Sequence, residues 1–195
     1  MKKLLFTAIT SCCAIVAFSQ ADTTLTQRLR NFMEANSKTD LEQVLDYTYP
    51  KIFTLIPRAQ MLEALKKTFD NEQVTLRFES LKTDSVYPIF KMQEGSYAKI
   101  RYSMKMIMRF KSKETDPGLK KIDNEFMLSA MQMQYGKDKV TMDSTGNVIM
   151  PEIALMVAVK DKYAREWCFI NLKEDDPVNS QLFSRVIIDK LATYK

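Results

Sequence analysis

The stretch from Ser96 to Phe110, with the sequence SYAKIRYSMKMIMRF, constrains the fold of this chain more than any other. Apolar and polar residues alternate along it, and the side chains of a β-strand alternate between two faces with the same period. The apolar positions are Ile100, Tyr102, Met104, Met106, Met108 and Phe110, and the other parity holds Lys99, Arg101, Ser103, Lys105 and Arg109. The pattern predicts a long strand with one apolar face, which amphipathic helices elsewhere in the chain must cover.

Three short helices are predicted before the first strand. A capping box at Thr24-Leu25-Thr26-Gln27 predicts a first helix that ends near Asn36. Asp40 has the position of an N-cap for a second helix, which ends before Pro50 because a proline disfavours helical geometry in the residue before it. Pro57 marks the start of a third helix.

Strands with alternating patterns follow these helices. They are predicted around residues 74–79, 85–92, 96–110, 140–142, 148–160 and 166–172. From Ile153 to Val159 the residues of both parities are apolar, which is typical of a central strand covered on both sides. Helices followed by antiparallel strands indicate an α+β fold.

Two further helices are predicted in the second half of the chain. Asp116-Pro117 is a helix start, and apolar residues follow at helical spacing until Gly136, where a C-terminal cap belongs. These residues are Leu119, Ile122, Phe126, Ala130 and Met133. The methionines from Met127 to Met133 also alternate, so a strand is the competing interpretation of Leu119 to Tyr135. A closing helix begins at Asp176-Pro177 and carries Val178, Leu182, Val186 and Leu191.

Residues 1–21 have the pattern of a signal peptide. Lys2 and Lys3 give a positive start, and an apolar run from Leu4 to Phe18 leads into small residues. This run is shorter than the roughly 20 residues that a membrane-spanning helix needs. We therefore expect residues 1–21 to be removed, which leaves residues 22–195 as one α+β domain that is secreted or periplasmic.

Cleavage can fall before Gln20 or before Asp22, and two alternatives to cleavage remain open. The segment can stay as an uncleaved membrane anchor. Ile9-Thr10-Ser11-Cys12 also loosely resembles a lipid-attachment box, so a lipoprotein attached through Cys12 is a second alternative. After the signal peptide, charges interrupt every apolar run, so no later membrane span is predicted.

The segment KTDLEQVLDYTYPKIF, with RAQMLEALKKTF after it, resembles the opening of nuclear-transport-factor-2-like domains, the cystatin-like cone fold of polyketide cyclases. Asp40 stands where those domains have the aspartate that caps their second helix. The late EWCFINL resembles their final strand, and the resemblance covers roughly residues 25–172. The helix at 119–135 and the closing helix depart from the family pattern.

This resemblance implies a strongly curved antiparallel sheet wrapped around the N-terminal helices, with an apolar cavity at the open end of the cone. The helix at 119–135 is then an insertion, and the closing helix a C-terminal addition. The candidate ligand-lining residues are Tyr49, Phe53, Tyr102, Met104, Met106 and Trp167. Such folds include enzymes and binding modules, so the fold does not decide the activity.

The absence of histidine from the whole chain excludes imidazole-based triads and imidazole metal ligands. Cys168, the one cysteine outside the signal peptide, has no partner for a disulfide within the mature chain and is expected in the core. The formal net charge of +5, which includes Lys2 and Lys3, is too small to indicate a nucleic-acid-binding protein. The acidic residues lack the spacing of a calcium loop, so no metal or cofactor is predicted.

Two functional hypotheses follow, together with a third for self-association. The first is a non-catalytic exported domain that binds a small apolar or amphipathic ligand or a cell-envelope protein. The second is an isomerase- or dehydratase-like enzyme with a buried carboxylate beside a tyrosine. Its candidate groups are Asp46, Glu79, Tyr49, Tyr97 and Tyr102. The third is a homodimer that pairs sheet faces, which the basic residues from Lys99 to Lys113 disfavour unless acids interleave; these residues otherwise indicate a solvated face or an anionic partner.

Overall fold

The computed structural model describes residues 22–93, 95–111, 116–173 and 176–194. The predicted signal peptide with Cys12 lies outside these ranges, as does Lys113. The α-helices are Thr23–Ser37 (α1), Leu41–Tyr47 (α2), Arg58–Phe69 (α3), Pro117–Tyr135 (α4), Pro177–Leu182 (α5) and Arg185–Ala192 (α6), and a 3₁₀ helix spans Pro50–Thr54. The strands are Val74–Val86 (β1), Phe90–Met92 (β2), Gly95–Phe110 (β3), Thr141–Met142 (β4), Val148–Asp161 (β5) and Ala164–Asn171 (β6).

The predicted α+β fold is confirmed, since the strands form one strongly curled antiparallel sheet shaped as a half-barrel. Its centre is the β3–β5 ladder, which runs from the pair Ser96–Lys160 to the pair Met108–Val148. β1 and β2 pair with the other edge of β3, and β4 and β6 pair with the other edge of β5. The strand with the strongest alternating pattern in the sequence is therefore one of the two central strands.

Both faces of this sheet carry helices. The inner face, which is the face that α1 covers, holds Ile100, Tyr102 and Met156 against Leu25 and Leu29 of α1. On the opposite, outer face, the C-terminal helices cover a second core. Its members include Tyr97, Val157, Val159, Cys168, Leu182, Ile187 and Leu191. Since Met156 and Val157 belong to different cores, the prediction of a central strand covered on both sides is confirmed for β5.

α4 covers the far end of the inner face. Leu128 and Met131 of α4 pack against a small core formed by Val140, Val148 and Met150. The alternative interpretation of this segment as a strand is wrong. The carboxylate of Asp116 accepts hydrogen bonds from the backbone N–H groups of the first turn, and Gly136 ends the helix with a φ of +104°, a value that favours glycine.

α1 is fixed to the sheet by polar contacts as well as by its apolar stripe. The Nε atom of Arg28 donates to the carbonyl oxygen of Trp167 at 2.5 Å, and its Nη1 donates to Glu166 at 2.5 Å. Trp167 is only 2% exposed, and its Nε1 donates to the Oδ2 of Asp22 at 2.9 Å. Trp167 thus connects β6 to α1 twice, through its side chain at the N-cap Asp22 and through its backbone carbonyl at Arg28 in the second turn.

Two predicted helix boundaries were wrong. The N-cap of α1 is Asp22 rather than Thr24, because the Asp22 carboxylate accepts from the backbone N–H groups of Thr24 and Leu25. The closing helix is broken into α5 and α6 at Phe183, which has an extended backbone. That conformation places the Phe183 ring parallel to the ring of Tyr49, with 5.8 Å between centroids, in the outer core. The predicted caps at Asp40 and Asp176 are confirmed.

The basic residues of β3 do not share one environment. Lys99 is only 8% exposed, and its Nζ donates to the carbonyl oxygen of Tyr194 at 2.5 Å, so the expectation of a solvated lysine was wrong there. Arg101, Lys105 and Arg109 are exposed. Glu79 of β1 stands opposite Lys105, so a neighbouring strand supplies an acid at this position.

The lowered pKa of Asp22 predicts that the folded state loses stability in acid. Its hydrogen bonds, foremost from the Thr24 hydroxyl, lower the pKa of this carboxyl from about 3.8 to about 2. Because the folded-state pKa lies below the unfolded one, the stabilisation is complete above about pH 4 and is lost as the pH falls toward 2. We expect Asp22→Ala to lower the free energy of unfolding at pH 7 by about 2 kcal/mol.

Chemical denaturation at several pH values measures this effect. Asp22→Asn is the matched control, since asparagine still caps the helix but does not titrate. The parent chain should lose more stability than Asp22→Asn between about pH 4 and pH 2. Parallel curves for the two proteins in that range would contradict the assignment.

Candidate functional site

An open cleft of about 550 Å³ lies on the inner face, between the part that α1 covers and the part that α4 covers. It is lined by Ser80, Ser103, Met104, Lys105, Tyr135, Lys139, Met150, Pro151, Glu152 and Ile153. We call it the inner cleft. Its volume is within the range of about 300–1,000 Å³ that is usual for small-molecule sites.

The strand register brings the central residues of the inner cleft together. Met104 of β3 is paired with Glu152 of β5, and Met106 is paired with Met150. Alternate residues of a strand share a face, so Met104 and Met150 are diagonal neighbours. The two methionines form the apolar part of the cleft floor, and the half-buried Glu152 lies on the same face directly across from Met104.

The walls of the inner cleft come from two irregular places in the chain. In β1 the pairing with β3 shifts between Glu79 and Lys82, and Ser80 within this bulge has a φ of +54°. At the other side, α4 ends at Gly136, which places Tyr135 and Lys139 along the cleft. The bulge and the helix end leave Met104 and Glu152 partly exposed between them, whereas Met150 is buried.

The chemistry of the inner cleft is that of an amphipathic site. Methionine side chains are flexible and polarisable, so the floor formed by Met104 and Met150 can adapt to aliphatic groups of different shape. Glu152 is half-buried, and Lys139 is exposed. The cleft therefore offers an apolar surface for a chain and charged groups of both signs for a polar head.

A second, smaller cavity of about 80 Å³ adjoins this floor on the α1 side. Its lining residues are Phe32, Met33, Asn36, Phe78, Leu81, Tyr102, Met104 and Asn171. Burial raises the pKa of the Tyr102 hydroxyl, which donates a hydrogen bond to Oδ1 of Asn171 at 3.1 Å. Met104 lines both spaces, so a rotamer change of this one side chain can alter the separation between them.

The structure does not bring the six residues predicted from the resemblance into one site. Tyr102 and Met104 lie together at the small cavity, while Met106 packs under α4 and Trp167 is buried beneath α1. Tyr49 and Phe53 belong to the core of the outer face. Sequence reasoning did not select the residues that complete the inner cleft. They include Met150, Glu152, Tyr135 and Lys139.

A carboxylate beside a tyrosine, the pair that the enzyme hypothesis requires, occurs on the outer face. The Tyr49 hydroxyl donates to Oδ2 of Asp161 at 2.6 Å. Both residues also line an open pocket of about 510 Å³, which is separate from the inner cleft. Oδ1 of Asp161 accepts from the backbone N–H groups of Tyr163 and Ala164, so this carboxylate holds the β5–β6 turn. Burial, with the neighbouring Asp161, raises the pKa of Tyr49 and keeps its hydroxyl protonated. These contacts account for the pair as a structural element.

Asp161 was not among the carboxylates predicted from the sequence, and the two that were, Asp46 and Glu79, face solvent. Asp46 accepts from Arg58 at 2.8 Å, and Glu79 accepts from Arg77 at 2.9 Å, with all four side chains substantially exposed. Within the described residues no three His, Cys, Asp or Glu side chains cluster as metal ligands. In that same part of the chain no helix combines the length and the apolar character needed to span a membrane.

No protein-family model, no curated protein and no solved structure matches this chain.

Proposed function

We propose that this chain is an exported, non-catalytic domain of the nuclear-transport-factor-2-like type that binds an amphipathic ligand in the inner cleft. The observation that carries the proposal is the open cleft over the half-buried Met104 and the edge of the buried Met150, with Glu152 directly across from Met104 and Lys139 at the wall. The signal-peptide pattern of residues 1–21 supports export. The curled sheet around the N-terminal helices supports the family assignment.

The size and shape of the inner cleft favour a ligand with one aliphatic chain. A cleft of about 550 Å³ can hold a medium-length chain along the floor between β1 and α4. Met104 separates this floor from the small cavity of about 80 Å³, which can take the end of a chain if the methionine turns aside. The polar head then lies at the solvent-exposed side, near Glu152 and Lys139.

Titration calorimetry with dodecanoate, below its micelle concentration, tests this function. We expect one saturable site with a Kd of about 10–100 µM and a negative heat-capacity change, because apolar surface is buried. Butanoate has the same head group without the long chain, so it should give no measurable heat of binding. Equal binding of the two acids, or no saturation by dodecanoate, would contradict the proposal. Dodecylammonium in a parallel titration shows which head-group charge the cleft prefers.

A further inference from the structure

The apolar stripe that predicted α4 faces solvent. Leu119 is 50% exposed, Ile122 61%, Phe126 72% and Met133 90%, and Ala130 between them is exposed as well. At 100° of rotation per residue, the five positions fall within about 80° of the helix circumference. α4 therefore presents a narrow, uninterrupted apolar face to the solvent.

This face is not the one that attaches α4 to the sheet. Leu128 and Met131, on the other side of the helix, already pack against Val140, Val148 and Met150. Gln132 adds a hydrogen bond from its Nε2 to the carbonyl oxygen of Val140 at 2.9 Å. Since the core-facing side is complete, the exposed stripe is available to a separate partner.

The spacing of the stripe is symmetric about Phe126. The steps from Leu119 to Met133 are three, four, four and three residues, so the order is the same from either end. An antiparallel pair of such helices around a two-fold axis places Phe126 against the partner's Phe126. The same axis places Ile122 against the partner's Ala130, a large side chain against a small one, as close helix packing requires.

We propose that α4 pairs in this antiparallel way with α4 of a second copy of the chain. The stripe contains no charged residue, whereas the exposed part of the outer sheet face keeps a net positive charge, since Glu79 and Asp84 of β1 offset only part of the charge of Arg77, Arg101, Lys105 and Arg109. A two-fold axis through that sheet face would bring like charges together, which favours the helix over the sheet face as the dimer surface.

The area of the stripe suits a dimer of modest affinity. The exposed fractions of its side chains correspond to roughly 500 Å² of apolar surface on each copy, or about 1,000 Å² in a dimer. A further open pocket of about 440 Å³ beside the stripe has a mixed lining, with Val74, Phe110, Phe126 and Met127 next to the polar Gln73, Lys111, Asp123 and Asn124. We therefore expect a dimer with a micromolar Kd, close to the lower size limit of specific interfaces.

Sedimentation equilibrium of the purified protein tests the pairing. Phe126→Glu places a charge at the two-fold axis and should raise the dimer Kd about a hundredfold or more, with an unchanged circular dichroism spectrum because Phe126 is exposed. Gln134→Glu adds the same charge to α4 outside the stripe and should leave the Kd within about threefold. Parent and variants are compared in the same processed form, so a difference between them reports on α4.

The register is tested by disulfide formation under mild oxidation. Phe126→Cys should give a cross-linked dimer in high yield, because the axis brings the two residues 126 together. Lys121→Cys is the control, since the same axis separates the two residues 121 by about 15 Å along the helix. The proposal is overturned if the parent is monomeric at about 100 µM, if Phe126→Glu leaves the dimer intact, or if both cysteine variants cross-link equally. A parent chain that is monomeric but binds lipid vesicles through the stripe would assign this face to a membrane instead.

Discussion

Replacing Trp167 with alanine is expected to lower the free energy of unfolding by about 3–5 kcal/mol, a larger loss than we expect for Asp22→Ala. The indole is almost fully buried in the inner core and packs among residues of α1, β3 and β5. Its removal leaves a cavity and also deprives Asp22 of the hydrogen bond from Nε1. Because Asp22 caps α1, losing this hydrogen bond weakens the attachment of the whole helix to the sheet.

Urea unfolding monitored by circular dichroism measures this effect, and Trp167→Phe separates its two components. Phenylalanine keeps most of the apolar volume but has no N–H group, so we expect a loss of about 1–2 kcal/mol. In an Asp22→Ala background the cost of Trp167→Phe should fall, since the two groups interact directly. Equal costs in both backgrounds would show that the hydrogen bond contributes nothing to stability.

Replacing Met104 with aspartate is expected to abolish dodecanoate binding, with a loss of affinity of about a hundredfold or more. Met104 lies on the floor of the inner cleft directly across from Glu152, so the new carboxylate would face a second negative charge and a bound aliphatic chain would remove it from water. Met104 is only half-buried in the free protein, so the fold should tolerate the charge better than a core position would. Titration calorimetry measures the affinity, and thermal unfolding checks the fold.

Met61→Asp is the matched control for this prediction. Met61 is a partly buried methionine on α3 that packs against the core of the outer face, away from the inner cleft. The same substitution there should reduce stability by a similar amount but leave the dodecanoate Kd within about threefold. Loss of binding in both variants would mean that stability, rather than the cleft, controls the affinity.

The sequence was most informative where a pattern has a single structural solution. The alternation in residues 96–110 identified a long strand, and the apolar residues of both parities in β5 identified a central strand buried on two sides. Asp40 and Asp116 located helix starts, because an aspartate side chain can reach the free N–H groups of a first turn. Local chemistry determined each of these features.

The inner cleft could not be assembled from the sequence, because it depends on long-range register. The proximity of Met104 and Met150 follows from the pairing of β3 with β5, which no local pattern specifies. The wall at Ser80 requires a bulge with a positive φ at a residue other than glycine, for which there was no sequence signal. The break at Phe183 similarly reflects a contact with Tyr49, a residue distant in the chain.

α4 shows a second limit of sequence periodicity, because its apolar stripe faces away from the core. The spacing from Leu119 to Met133 correctly predicted a helix, but a stripe alone does not say which partner covers it. Leu128 and Met131 cover the core instead. Met131 is one of the alternating methionines that gave the competing strand interpretation. A helix with apolar residues on two sides can pack one side against the core of its own fold and leave the other side for association with a second molecule.

The most direct test of ligand binding in the inner cleft is an NMR titration of ¹³C-methyl-labelled methionines with dodecanoate. We expect the Met104 and Met150 methyl signals to shift along a saturable curve, because both side chains form the floor of the inner cleft. The signals of Met156, buried beneath α1, and of Met61, on the outer core, should stay in place. Unchanged Met104 and Met150 signals at saturating dodecanoate, or shifts that centre on Met61, would contradict ligand binding in the inner cleft.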